Sequence, residues 1–207
     1  MQKASPEPRK RGRPPKFDHD EVVAAAIGAF FQKGLEATTL ADLETATGVD
    51  RSTLYNSFGG KNGLYRSATD TYLSLAEAGL FAPLLVGTDD GYGDLLDFLR
   101  NLRSGLTSPD AIPGCLIVND MAAGADPGAA ARYRALLEDG LRAALTRTGT
   151  LDDEQRTQRA ALISASVIGI NLISKATGDP NEIGRLIDAL TDLVNEWIRE
   201  AERPPRN

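Results

Sequence analysis

Apolar residues recur along this chain at intervals of three and four, the period of a helix with one buried face. Val22, Val23, Ala26, Ile27, Phe30 and Phe31 share such a face, in a helix that Asp18 caps and Gly34 stops. Asp18 and Glu21 have capping-box spacing, and Phe17 and Val22 that of a hydrophobic staple. Thr39 and Asp42 mark a second start. Leu40, Leu43 and Ala46 form its short apolar face, and Gly48 ends it. Asp50 caps a third short helix, in which Leu54 and Phe58 face inward at i, i+4 before the Gly59-Gly60 break. A fourth helix is predicted from Lys61 to about Leu80, with Pro83 ending that region.

The second half is punctuated in the same way. Leu95, Leu96, Phe98, Leu99 and Leu102 mark a helix before Gly105, and Pro113 opens a short apolar helix through Met121. Asp126-Pro127, a cap followed by proline at the first helical position, opens a helix to about Thr148. Asp152 with Gln155 caps a long helix to Ala176. Gly178-Asp179-Pro180 stops it and starts the last one, with Glu182 closing a box. That last helix carries Ile183, Leu186, Ile187, Leu190, Leu193, Val194, Trp197 and Ile198 on one side. No segment sustains the period-two alternation of a strand, so the expectation is all-α.

Charge is distributed unevenly. Residues 1–16 hold six basic residues against one acidic, a net +5, while residues 17–61 hold three against seven, a net −4, within a chain total of −6. A basic arm on an acidic body suits a nucleic-acid-binding tail; a solubilising tail has the same composition. The arm is rich in Pro, Lys and Arg and is expected to be disordered when free. The single cysteine, Cys115, excludes an internal disulfide, and with one histidine, His19, a His/Cys metal site in one chain is not expected. Cys115 reads as a buried small hydrophobe or as a redox sensor. The longest uncharged run in an apolar segment, 160–174, falls short of the roughly 18 residues a spanning helix needs, so no membrane association is expected. The polar, basic opening does not resemble a signal peptide, and the expected location is the cytoplasm. No carboxylate pair, phosphate loop or nucleophile elbow stands out; no catalytic residue and no cofactor are expected.

The informative stretch is 39–58, where two short helices flank Gly48, the spacing of a helix-turn-helix. With Leu54 and Phe58 inside, Ser52, Tyr55 and Asn56 point away and Arg51 and Thr53 flank them. These are short or planar hydrogen-bonding side chains suited to base edges and phosphates. A structural helical hairpin is the competing reading.

Residues from about Lys16 to Ala76 resemble the DNA-binding domain of the tetracycline-repressor (TetR/AcrR) family. The resemblance rests on Ala26 and Phe30, on Gly34-Leu35-Glu36-Ala37-Thr38-Thr39, on Leu43-Glu44-Thr45-Ala46-Thr47-Gly48-Val49, and on Thr53-Leu54-Tyr55-Asn56-Ser57-Phe58-Gly59-Gly60-Lys61. It implies an all-α homodimeric regulator: an N-terminal three-helix helix-turn-helix domain plus a C-terminal ligand-binding and dimerisation bundle, about nine helices in total. On that implication Thr39 bonds a phosphate, and Arg51, Ser52, Thr53 and Asn56 meet bases or phosphates. Tyr55 packs on the backbone, and Lys61 holds a phosphate at the start of the fourth helix. Ser57 departs from the family's frequent His or Tyr, and Asp50 from its frequent Ser. Arg11-Gly12-Arg13-Pro14 resembles the core of an AT-hook, whose arginines enter a narrow minor groove. The division expected is an arm over 1–16, a DNA-binding domain over 17–61 and a C-terminal domain over 62–207. The partners expected are a pseudo-palindromic double-stranded DNA operator, a second copy of the chain, and a small apolar effector that releases the DNA. An architectural minor-groove binder of low sequence specificity is the alternative.

Overall fold

The structure is a computed structural model that describes residues 17–121 and 123–203, so the arm with Arg11 and Arg13 lies outside the described residues. Among the described residues there are ten α-helices and no strand: α1 (His19–Ala37), α2 (Leu40–Thr47), α3 (Arg51–Phe58), α4 (Lys61–Ala78), α5 (Ala82–Leu85), α6 (Gly91–Thr107), α7 (Leu116–Met121), α8 (Pro127–Arg147), α9 (Asp153–Thr177) and α10 (Pro180–Ala201). The all-α expectation holds. The additional helix is α5, a single turn that encloses Pro83 and has no side-chain cap to announce it.

Local chemistry explains most boundaries. Two of the four expected capping boxes close in both directions, Thr39 with Asp42 and Asp152 with Gln155. Asp18, Asp50 and Asp126 cap from one side only. Asp179 instead takes the Asn181 amide, so Glu182 closes no box. Gly48, Gly59 and Gly178 end their helices in the left-handed region. Two glycines differ from expectation. Gly105 lies inside α6, because the apolar face continues to Leu106. Gly34 (φ 76°, ψ 171°) breaks α1, yet a last turn follows it to Ala37.

Two cores form. The head core joins Phe30, Leu43, Leu54 and Phe58 to Leu64, Tyr65 and Ala68 of α4 and to Leu116 of α7, so its packing continues past position 61. Phe30 meets Tyr65 edge-on at 5.0 Å. The larger core gathers α5, α6, α8, α9 and α10 around Phe81, Phe98 and Tyr133. There the buried Asp94 carboxylate is paired with Arg147 at 2.8 Å and receives the Thr88 amide and hydroxyl, which fixes the turn before α6.

Helix α9 corrects one inference. A window that tolerates two charged residues outlasts the strictly uncharged run, and by length and composition α9 could cross a membrane. In this fold one side of it enters the core through Ile163, Val167 and Ile170, while Leu162, Leu172 and Ile173 remain exposed.

Candidate nucleic-acid interface

Helix α3 stands on Leu54, which is fully buried, and Phe58. The helical period then places Arg51, Ser52, Tyr55 and Asn56 outside, with Thr53 half-buried at the flank. Asn56 Nδ2 donates to Ser52 Oγ at 3.3 Å, so these two polar groups form one unit, one turn apart. Tyr55 is 55% exposed, and its ring lies over Gly60. A Cβ at Gly60 would come within 2.8 Å of that ring and displace it, and φ there is +85°, in the region that favours glycine.

The start of α3 is held by two carboxylates. Asp50 accepts the Thr53 amide at 2.7 Å, and this bond holds its carboxyl below the usual range. Glu44 of α2 accepts the Arg51 amide at 2.7 Å and stands 3.9 Å from the Arg51 guanidinium. Glu44 was invisible to sequence reasoning, because its partner is seven residues away across the turn. Thr39 is exposed, but its hydroxyl is engaged with Asp42 at 2.8 Å. Lys33 pairs with Asp42 at 2.7 Å; that bond, then those from Thr39, hold the Asp42 carboxyl far below its ordinary value. Lys61 lies against the end of α1, donating to the Leu35 carbonyl at 2.8 Å and the Glu36 carbonyl at 3.3 Å. Each of the three Lys and Arg residues over 17–61 thus has a partner within the head.

This arrangement, a short helix behind Gly48 presenting Arg51, Ser52, Tyr55 and Asn56 on a buried base, is that of a known group. Residues 22–68 match the family described as bacterial regulatory proteins, tetR family. The head of this chain, residues 22–68, is thus that of the TetR family. The chain is 38% identical over 112 residues to the HTH-type transcriptional repressor ComR of Escherichia coli, a match that spans 54% of this chain and 53% of ComR, about half of either. It is 28% identical over 198 residues to the HTH-type transcriptional regulator YezE of Bacillus subtilis, covering 89% of this chain and all of that one. A cysteine mutant of the TetR family transcriptional regulator CifR, solved with 26-bp double-strand operator DNA, shares the fold at a TM-score of 0.75. Its identity is 23%, over 87% of this chain and 98% of that chain.

The chain also contains a cavity of about 360 Å³ where head and bundle meet. Ile27 and Phe31 of α1, Tyr72 of α4, Leu102 of α6, Cys115 and Tyr133 of α8 are on its walls, and no lining residue is charged. Tyr72 donates its hydroxyl to Cys115 Sγ at 3.4 Å, and Tyr133 lies beside the same thiol. Burial pushes the Cys115 thiol up, away from the reactive thiolate, which favours the core reading of this residue.

Proposed function

We propose that this chain is a transcriptional regulator, a repressor in action, that binds a pseudo-palindromic operator as a homodimer and leaves it when a small apolar molecule binds. The carrying observation is the exposed row Arg51, Ser52, Tyr55 and Asn56 on a helix whose other side is seated in the head core. Such a helix enters the major groove, where arginine and asparagine match the edges of guanine and adenine. Thr39, Thr53 and Lys61 are the phosphate-side contacts of this reading, with one Lys61 proton still free of the carbonyls that hold it. The cation pairing inside the head supports a role for the arm, with Arg11 and Arg13, in long-range attraction to DNA. The exposed Leu162, Leu172 and Ile173 of α9, beside a groove to α10, support a two-fold interface there. The cavity supports the effector, and a cytoplasmic location goes with a DNA target.

Selection from a random duplex library, followed by footprinting, tests the reading. A short two-fold site with half-sites about one helical turn apart is expected. Diffuse protection of A·T-rich DNA would instead favour the architectural alternative.

A further inference from the structure

Helix α2 reaches α3 through one side chain. Glu44 lies on α2, and its carbonyl accepts the Gly48 amide at 3.0 Å, which closes that helix. Its carboxylate then crosses the turn. Oε1 accepts the Arg51 amide at 2.7 Å, and Oε2 stands 3.9 Å from Arg51 Nη2, an ion pair without a hydrogen bond. Glu44 is therefore tied to both sides of the turn, and its carboxylate has a fixed place beside the first residue of α3. Arg51 is the only basic residue of α3, and its side chain is 60% exposed. The other two cations over 17–61 are engaged elsewhere in the head, Lys33 by Asp42 and Lys61 by the Leu35 and Glu36 carbonyls.

The start of a helix ordinarily offers free amides to an anion. In α3 the first of them goes to Glu44 and the third to Asp50. Two carboxylates thus stand where a phosphate would be received. A base edge makes a different demand. The guanidinium is a flat fork, so a carboxylate on one edge leaves another edge free for a pair of acceptors. In the major groove O6 and N7 of guanine are such a pair, and they bring no net charge. A phosphate on the same edge would set two anions on one cation, and like charges at that range are unfavourable. Arg51 beside Glu44 is therefore better matched to a guanine than to the DNA backbone.

We propose that Glu44 is a positioning residue for base reading: its carboxylate holds one edge of the Arg51 guanidinium, turns the other toward a guanine of the operator, and disfavours the phosphate contacts that Arg51 would otherwise make on any sequence. This inference rests on the regulator reading above, with α3 in the major groove, and its test separates the two. It gives Glu44 a part in discrimination between sequences, although a carboxylate beside DNA lowers attraction to every sequence.

The test uses the full chain on the selected operator and on a scrambled duplex of the same length and composition. The quantity read is the ratio of the two affinities. A change of charge alters long-range attraction to both duplexes alike, and the ratio cancels it. Glu44→Gln keeps an acceptor for the Arg51 amide and removes the charge that holds the guanidinium. It is expected to leave the melting temperature unchanged and to lower the ratio about five- to tenfold, a part of what a bidentate arginine–guanine pair discriminates. The lost discrimination falls at the base pair that Arg51→Ala also relaxes, read with single-base variants of the operator. In the Arg51→Ala chain, Glu44→Gln should change the ratio little, because the side chain it positions is gone. An unchanged ratio in Glu44→Gln overturns the inference and leaves the regulator reading standing. So does an equal fall in the Arg51→Ala chain, which would make Glu44 itself the reader of a base such as cytosine. A fall spread over all operator positions, with a lower melting temperature, marks a loosened α3 and overturns the inference too. A wild-type chain from which no preferred site can be selected overturns both readings.

Discussion

Replacing Gly169 by glutamate separates folding from dimerisation. Gly169 lies on α9 in the groove formed with Ser166, Ile173, Leu190 and Leu193. A Cβ added there meets nothing within 4 Å in the single chain. Removing a helix-interior glycine gains about 0.5–1 kcal/mol, so the protomer should fold as well as the wild type or slightly better. In a two-fold interface over α9 and α10 the same carboxylate is buried without a partner, at about 3–5 kcal/mol. Symmetry supplies one from each chain. The sum, about 6–10 kcal/mol, corresponds to roughly four to seven decades in the dissociation constant. Even a nanomolar dimer should become monomeric at micromolar concentration. Leu190 is a poorer site for this experiment: it is 6% exposed in one chain, so a charge there damages the fold as well as the interface. Sedimentation velocity with a parallel thermal melt reads the two effects apart. A Gly169→Glu chain that sediments as a dimer with the wild-type melting temperature would refute the α9–α10 interface, as would a monomeric wild type.

Four further outcomes are expected. Replacing Arg51 or Asn56 by alanine should cost about 1–3 kcal/mol on the selected operator and relax discrimination at one position per half-site, read by titration against single-base variants. Deleting residues 1–16 should flatten the salt dependence by about 0.9 for each phosphate the arm no longer neutralises, while the major-groove preference survives; an unchanged slope would show that the arm does not engage DNA. Arg147→Met leaves the buried Asp94 carboxylate without its cation and should cost about 3–5 kcal/mol in urea unfolding. The Asp42 and Asp50 carboxyls are held below their ordinary values, so their contribution is complete above about pH 4 and is lost as pH falls further. Acid unfolding followed by circular dichroism should therefore show a shallower transition for Asp42→Asn.

What the sequence revealed was local. Thr39 with Asp42 and Asp152 with Gln155 are three residues apart, and their boxes could be read from spacing alone. The outward set on α3 followed from Leu54 and Phe58 by the helical period. What escaped was pairing at long range. Lys61 looks like a phosphate ligand until Leu35 and Glu36, more than twenty residues earlier, bring their carbonyls to it. Asp120 was one carboxylate among many until Leu35, eighty-five positions away, and Tyr65 met it. Helix α5 escaped for a different reason: a turn of four residues is shorter than the period that would reveal it.

The shared packing of α4 and α7 bears on how such proteins can be recombined. A chimera joined after position 61 would carry away the seat of α3 but abandon Leu64, Tyr65 and Ala68, and would lose Leu116 from the far side. Its transplanted head would present a hole to its new host. A working graft must extend through Ala68 and bring along a side chain that fills the place of Leu116. The same constraint acts on divergence: the exposed outer row of α3 can change without disturbing the head core, whereas exchange of whole heads requires matching substitutions at two distant points in the recipient.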